Sequence, residues 1–187
     1  MDITIIINNI YPLPHPSFDR LVQLVDETDY PKHFHLFREN VKGRKAYFLK
    51  KGLVRAYSTE DGKDVTFWFG KDGDIIFPMQ TLFAGLSEYA SVELLEDSVL
   101  YELDLPRLEE LYASDIHIAN WGRRYAERAC IEAEKLFISR QYKDSADKYR
   151  QLIADFPGIT LRVPLGIIAS FLGISQANLS RIRAKVR

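Results

Sequence analysis

Pro164-Leu-Gly-Ile-Ile-Ala-Ser-Phe-Leu-Gly173-Ile-Ser175-Gln-Ala-Asn-Leu-Ser-Arg-Ile-Arg-Ala-Lys-Val-Arg187 holds two short helical patterns joined by Gly173-Ile174-Ser175. In the first, Ile168, Ala169 and Leu172 fall on one face; in the second, Leu179, Ile182 and Val186 do the same, so both helices can share one small core. Pro164 suits a first helical position and Gly173 the end of a helix. Ser175 suits a cap, because its hydroxyl can accept an orphan backbone N–H. A small residue at Ala169, glycine four positions on and Leu179 six further give the spacing of a helix-turn-helix.

The second helix carries a polar face. Gln176, Asn178, Ser180, Arg181, Arg183, Lys185 and Arg187 supply amides for base edges and cations for phosphates, with no acidic residue among them, which points to double-stranded DNA. The formal net charge of the chain is −1, but from Tyr142 onward eight Lys and Arg face three Asp. Basic charge is therefore concentrated in the last quarter, as phosphate neutralisation requires.

At 187 residues, 47% hydrophobic and 27% charged, the chain has the composition of a folded protein of one large or two small domains. The single cysteine, Cys130, excludes an internal disulfide and a cysteine-ligated cluster, and is compatible with a reducing compartment. The apolar run Ile3 to Ile7 has no basic flank before it and is too short for a signal peptide or a membrane span. A cytoplasmic protein without a membrane partner is expected.

Residues 12–16, Pro-Leu-Pro-His-Pro, interrupt any helix; from Ser17 as a cap, Phe18, Leu21, Val22 and Val25 make an amphipathic one. Between Tyr30 and Leu105 the texture changes to short β-prone runs: Ala46 to Leu49, Leu53 to Tyr57, Val65 to Phe69, Asp74 to Phe77, Ala90 to Leu94 and Val99 to Leu103. Glu60-Asp61-Gly62-Lys63 is a strong hairpin signal. Many short strands at this spacing predict a sandwich or barrel.

A short helix follows from Leu105, with Leu108, Leu111 and Tyr112 on one face. Ser114-Asp115 caps a second that runs to about Tyr142. Along it Ala119, Arg123, Ala126, Cys130, Ala133 and Phe137 recur by fours and threes, a narrow stripe that suits a partner helix and hence a homodimer. From Ser145, the positions Ala146, Tyr149, Leu152, Ile153 and Phe156 give a further helix stopped by Pro157-Gly158, and Ile159 to Val163 reads as a β-prone connector.

This order of parts resembles the Crp/Fnr family of transcription regulators over nearly the whole chain. Gly173-Ile174-Ser175 and Leu179-Ser180-Arg181-Ile182 are similar to the family's turn and recognition-helix core. Lys51-Gly52-Leu53-Val54-Arg55 resembles its glycine turn before a strand, and Gly70-Lys-Asp-Gly-Asp74 the loop entering its ligand cassette. The resemblance implies an α+β protein: a β-roll (double-stranded β-helix, or jelly roll) sensor at residues 1–115, a dimerisation helix at 116–141 and a helix-turn-helix domain at 142–187. It implies DNA, a second copy of the chain, an effector and RNA polymerase as partners, no enzymatic activity and no cofactor. Arg181 matches the family and would take a guanine edge. Gln176 and Ala177 stand where other members carry Arg-Glu and would favour adenine and a thymine methyl, while Ser175, Arg183, Lys185 and Arg187 would contact phosphates.

The cassette departs from the family. Cyclic-nucleotide binders open it with Gly-Glu and close it with Arg-Ser or Arg-Thr; here Phe77-Pro78-Met79 and Tyr89-Ala90-Ser91 occupy those places. No Lys or Arg lies between Lys71 and Arg107, while Asp72, Asp74, Glu88, Glu93, Glu96 and Asp97 all do. Cyclic AMP is therefore not the expected effector, although backbone N–H groups could still hold a phosphate. A pocket of Phe77, Pro78, Met79, Phe83, Tyr89, Ala90 and Ser91 suits an apolar or neutral ligand, or none.

A competing reading starts from His33-Phe-His35 with Glu39, which looks like the first half of a cupin metal site and implies a β-roll metalloenzyme or a ligand-binding module with structural C-terminal helices. The pattern lacks its flanking glycines and its later barrel histidine, since His117 falls on the long helix, so no metal is expected.

Overall fold

A computed structural model of the chain describes residues 1–186, the side chain of Arg140 excepted; Arg187 lies outside the described residues. Two helices, α1 (Ile3–Ile10) and α2 (His15–Val22), precede eight strands. These are β1 (Val25–Tyr30), β2 (His35–Phe37), β3 (Lys45–Lys51), β4 (Leu53–Glu60), β5 (Lys63–Lys71), β6 (Ile75–Ile76), β7 (Ser91–Leu94) and β8 (Ser98–Asp104), with α3 (Met79–Ala84) between β6 and β7. They form two antiparallel four-stranded sheets, ordered β1-β8-β3-β6 and β2-β7-β4-β5. The six strand runs predicted from sequence each overlap an observed strand, although Asp74, Phe77 and Ala90 fall outside β6 and β7. Asp61 and Gly62, both at positive φ, close the β4–β5 hairpin with Glu60 opposite Lys63. That is the backbone a two-residue loop needs to match strand twist.

The chain continues through α4 (Leu105–Ser114), α5 (Ile116–Tyr142), α6 (Ser145–Asp155), α7 (Ile159–Arg162), α8 (Leu165–Leu172) and α9 (Gln176–Lys185). Asp115 caps α5, its carboxylate accepting from the N–H groups of His117 and Ile118. Only the first turns of α5 pack on the roll. Trp121 is fully buried and donates its indole N–H to the Ile7 carbonyl at 3.0 Å. Gly122 lets the Tyr112 ring cross α5 closely, since a Cβ there would lie 2.6 Å from it. Arg128 still donates to the Asn9 carbonyl at 3.1 Å, and beyond it α5 exposes Ile131, Phe137, Ile138 and Tyr142.

Three local readings differ from the structure, and one run without an assigned conformation proves regular. The Ile3 to Ile7 run is helical: Asp2 caps it and Ile6 and Ile7 bury beside Trp121, so burial overrides the weak helix propensity of β-branched residues. Ser17 is not a cap; α2 starts at His15, with Pro16 in its first turn, and buried Ser17 donates to Asp115 at 3.2 Å. Val25 opens β1, whose sequence VDETDY is too polar to announce a strand. The β-prone connector is instead the helical turn α7, because Ile159 and Val163 both point into the core of the C-terminal helices.

Three apolar clusters result. One joins α1, α2, α4 and the start of α5 to β3 and β8 around Phe48 and Trp121; one lies between the sheets around Leu49, Val54, Leu94 and Leu100. The third unites Tyr149, Leu152, Ile168, Leu172 and Leu179 with Leu53 and Phe69 of the second sheet and with Leu95 just after β7. Beside it Arg55 and Glu93 are buried on the same face: Arg55 Nε donates to Glu93 Oε2 at 2.9 Å and Arg55 Nη2 to Asp64 Oδ2 at 2.8 Å, while His33 Nδ1 lies 2.6 Å from Glu93 Oε1.

Burial pushes the Glu93 carboxyl up, but the bonds from His33 and Arg55 outweigh it and hold the group below its ordinary value. A depressed carboxylate contributes stability that is present above its unfolded value and lost as pH falls through its folded one. Denaturation midpoints followed from neutral pH into the acid range are expected to fall, and Glu93→Gln to flatten that dependence; an unchanged slope in the variant would assign the acid lability elsewhere.

Candidate nucleic-acid interface and sensor cassette

The turn between α8 and α9 is built from local backbone chemistry. Gly173 sits at φ 68° and directs its N–H to the Ser170 carbonyl, while the Ile174 N–H reaches the Ala169 carbonyl, both at 3.0 Å. That left-handed closure has no Cβ penalty for glycine. Ser175 is extended, and its Oγ accepts from the Asn178 N–H at 3.2 Å, capping α9. Leu179 is fully buried and Ala169 nearly so, which fixes the crossing of the two helices.

This packing turns the polar face outward. Ser175, Gln176, Ala177, Ser180, Arg181 and Lys185 are exposed, and Asn178 and Arg183 are half-buried. Gln176 leans back on α8, where a Cβ on Gly166 would lie 2.7 Å from its Nε2. Among the described residues Arg181, Arg183 and Lys185 make no ion pair, whereas Arg150 is bound to Asp147 and Arg162 to Glu96. Cationic charge near the end of α9 is thus uncompensated and available to an anion.

The cassette is organised differently from the expected pocket. Phe77 is buried against Trp121 and Tyr125, its ring 4.7 Å from that of Tyr125, and Met79 packs on the same cluster. Pro78 lies against Gly43. Phe83 and Tyr89 point to solvent, 54% and 57% exposed, with Tyr89 stacked on Phe67. Ala90 is buried, and Ser91 accepts from the Glu39 N–H at 3.0 Å. The seven residues are thus divided between core, surface and sheet.

Sequence reading missed Glu88, which it counted only as one acid among several. Its carboxylate is buried and accepts from both the N–H and the hydroxyl of Thr81, each at 2.8 Å, in the first turn of α3. The loop between β2 and β3 is laced to it: the Asn40 N–H donates to the Glu88 carbonyl at 2.8 Å, the Glu88 N–H to Val41, and the Gly43 N–H to Thr81 Oγ1 at 3.0 Å. That loop brings Arg38, Lys42 and Arg44 to a concavity of about 320 Å³ also lined by His35, Lys45 and Tyr47. Cations absent from the cassette's own sequence therefore stand beside it. No short-range pattern announces this, because the two segments lie some forty residues apart.

The half-motif for a metal is dispersed. His33 is turned to Glu93, His35 Nε2 is 2.9 Å from the Tyr57 hydroxyl, and Glu39 accepts from the Thr59 N–H at 3.2 Å. Burial and the nearby Arg38 lower the pKa of His35. Among the described residues no group of three or more His, Cys, Asp or Glu is arranged to hold a metal ion. On α5, Arg123, Cys130, Ala133 and Phe137 are exposed and Ala119 and Ala126 half-buried, so most of the small-residue stripe faces away from the roll. No helix among the described residues is long and apolar enough to cross a membrane.

Residues 27–115 match the cyclic nucleotide-binding domain family. No curated protein matches the sequence. Among solved structures, FixK2 from Bradyrhizobium japonicum is 20% identical, with 87% of this chain and 84% of that one covered at a TM-score of 0.73. A protein assigned to the Crp/Fnr family of transcriptional regulators from Eubacterium rectale is 15% identical over 93% and 85% of the two chains, TM-score 0.75. The c-di-GMP-responsive global regulator CLP of Xanthomonas campestris is 16% identical over 92% and 91%, TM-score 0.66. The likeness extends from the roll through the C-terminal helices, so the chain shares the fold of these structures, and residues 27–115, the part matched by the cyclic nucleotide-binding domain model, form its roll.

Proposed function

We propose that the chain is a homodimeric, non-enzymatic transcription regulator that reads a palindromic operator, with residues 1–115 as sensor, 116–141 as dimerisation helix and 142–187 as DNA-binding domain. The observation that carries this reading is the outward face of α9, capped by Ser175, free of acids and lined by cations without ion-pair partners among the described residues. Arg181, Gln176, Asn178 and Ser180 read base edges, Ala177 touches a thymine methyl, and Ser175, Arg183, Lys185 and Arg187 contact phosphates. Paired α5 helices place two copies of α9 on half-sites about one DNA turn apart. RNA polymerase is the further partner such a regulator requires. A cytoplasmic location follows from the same reading, since a DNA reader works beside DNA and the free Cys130 suits a reducing compartment.

The effector reading is narrower. Glu88 already places a carboxylate on the α3 amide and hydroxyl of Thr81, so a phosphate bound there would first have to displace it. This supports an effector other than cyclic AMP. The metalloenzyme alternative loses its support because His33, His35 and Glu39 each serve a different partner.

Selection of bound sequences from a random duplex library is expected to yield a palindrome. On that site Arg181→Ala should cost roughly 1–3 kcal/mol and relax one position, whereas Lys185→Ala should weaken all sequences alike and lower the salt slope by about one; equal binding by Arg181→Ala and the parent refutes the assignment. For assembly, Phe137→Glu places a charge on the exposed, apolar part of α5. Sedimentation is expected to show a dimer for the parent and a shift to monomer for the variant, and a monomeric parent would remove α5 as the interface.

A further inference from the structure

We propose that Ser170 and Arg162 are positioning residues that seat the DNA-reading helices on the edge strand β5, so that the sensor sheet, and not the α5 connection alone, sets where α9 points. This rests on the DNA-reading function proposed above.

Strand β5 is the last of its sheet and pairs only with β4. Its outer edge should present unpaired N–H and C=O groups, which proteins normally cover or blunt. Here a hydroxyl from the first helix of the helix-turn-helix fills that edge: Ser170 Oγ accepts from the Thr66 N–H and donates to the Asp64 carbonyl, both at 2.9 Å. A hydroxyl is suited to this because it is donor and acceptor at once. Farther along the same strand Phe69 packs on Phe171 and Phe156, with ring centroids 4.9 and 6.0 Å apart, and Lys71 Nζ donates to the Asp155 carbonyl at 2.6 Å.

Arg162 fixes the other side. Its guanidinium forks onto the Glu96 carboxylate, Nε to Oε2 at 2.9 Å and Nη2 to Oε1 at 2.5 Å. Two parallel bonds define an orientation, which a single contact would not. The pair is about one-third exposed, so its contribution is geometry more than stability. Arg162 is thus withdrawn from the basic charge available to DNA.

The covalent connection is short, and its α5 side is little packed. Only Lys143 and Asp144 separate α5 from α6, and the last turns of α5 are largely exposed. The lateral seat also reaches the sensor interior: Asp64, whose carbonyl holds Ser170, uses its carboxylate on Arg55, which pairs with Glu93 of β7, the strand that begins at Ser91 of the cassette.

The test uses the full chain and two readouts. In Ser170→Ala, amide exchange at Thr66 should accelerate about tenfold or more while that of Val54, inside the sheet, stays slow. Affinity for the selected duplex should fall about tenfold with the salt slope unchanged, because no phosphate contact is removed. Arg162→Glu should weaken binding likewise, and adding Glu96→Arg should restore it. Unchanged exchange at Thr66 overturns the seat. Faster exchange with DNA affinity equal to or above that of the parent overturns the positioning role, a gain meaning that the seat holds α9 away from DNA. Failure of the parent itself to bind any duplex refutes the DNA-reading function, a result distinct from either.

Discussion

The second sheet is covered on both faces around Leu53, Val54 and Phe69, and the arrangement of the molecule depends on that constraint. Val54, Leu94 and their neighbours face the first sheet, whereas Leu53, Phe69 and Leu95 face the C-terminal helices. A sheet with one face in water could end its chain in any appended domain. One with apolar groups on both faces demands a cover on the second, and α6, α8 and α9 provide it through the same core that fixes the helix-turn-helix. The roll and the C-terminal helices are consequently joined by a shared hydrophobic cluster and by directed polar contacts, a coupling that hydrophobic burial makes strong and the Ser170 and Arg162 bonds make specific.

Charge is sorted by the same packing. Counting residues from Tyr142 onward correctly locates a basic excess, yet the structure gives those cations different employments. Arg150 pairs within its own helix, Arg162 holds Glu96 of the roll, and among the described residues Arg181, Arg183 and Lys185 make no ion pair at α9. A cation that is bound to a carboxylate adds little to an external field, because its partner cancels it within a Debye length. What draws a polyanion is the unpaired residue, and α9 carries three of these within five residues.

Features set by neighbours in sequence were legible. Ser175 and Asp115 as caps, Gly173 as a left-handed end and Asp61-Gly62 as a hairpin all obey rules that act within four residues, and each appears where the pattern puts it. Features set by distant partners were not. Ile3 to Ile7 becomes a helix because Trp121 meets it, Ile159 turns helically because the C-terminal core receives it, and Ser17 sits inside its helix because Asp115 is there to accept. The α9 face was legible for the same reason as its cap: helix period alone decides which residues point outward. Glu88 and Ser170 were invisible because their partners, the α3 amide with its loop and the β5 edge, are defined only once the chain is folded.

That distinction bears on what the cassette can hold. A cyclic-nucleotide site needs donors that await an anion, but the Thr81 donors already hold a carboxylate, and the residues at the cassette's closing end are an outward tyrosine and buried Ala90. An internal carboxylate has an effective concentration no diffusing phosphate matches unless the phosphate brings further contacts. The cations nearest the cassette, on the loop from Arg38 to Arg44, are bound to it through the Glu88 backbone. An anion captured by that loop would pull on Glu88 from outside, and β7, Arg55 and Asp64 stand between Glu88 and the seat of the reading head. Under the regulator reading proposed above, an input would reach the C-terminal helices as a displacement of the cassette wall passed along the sheet.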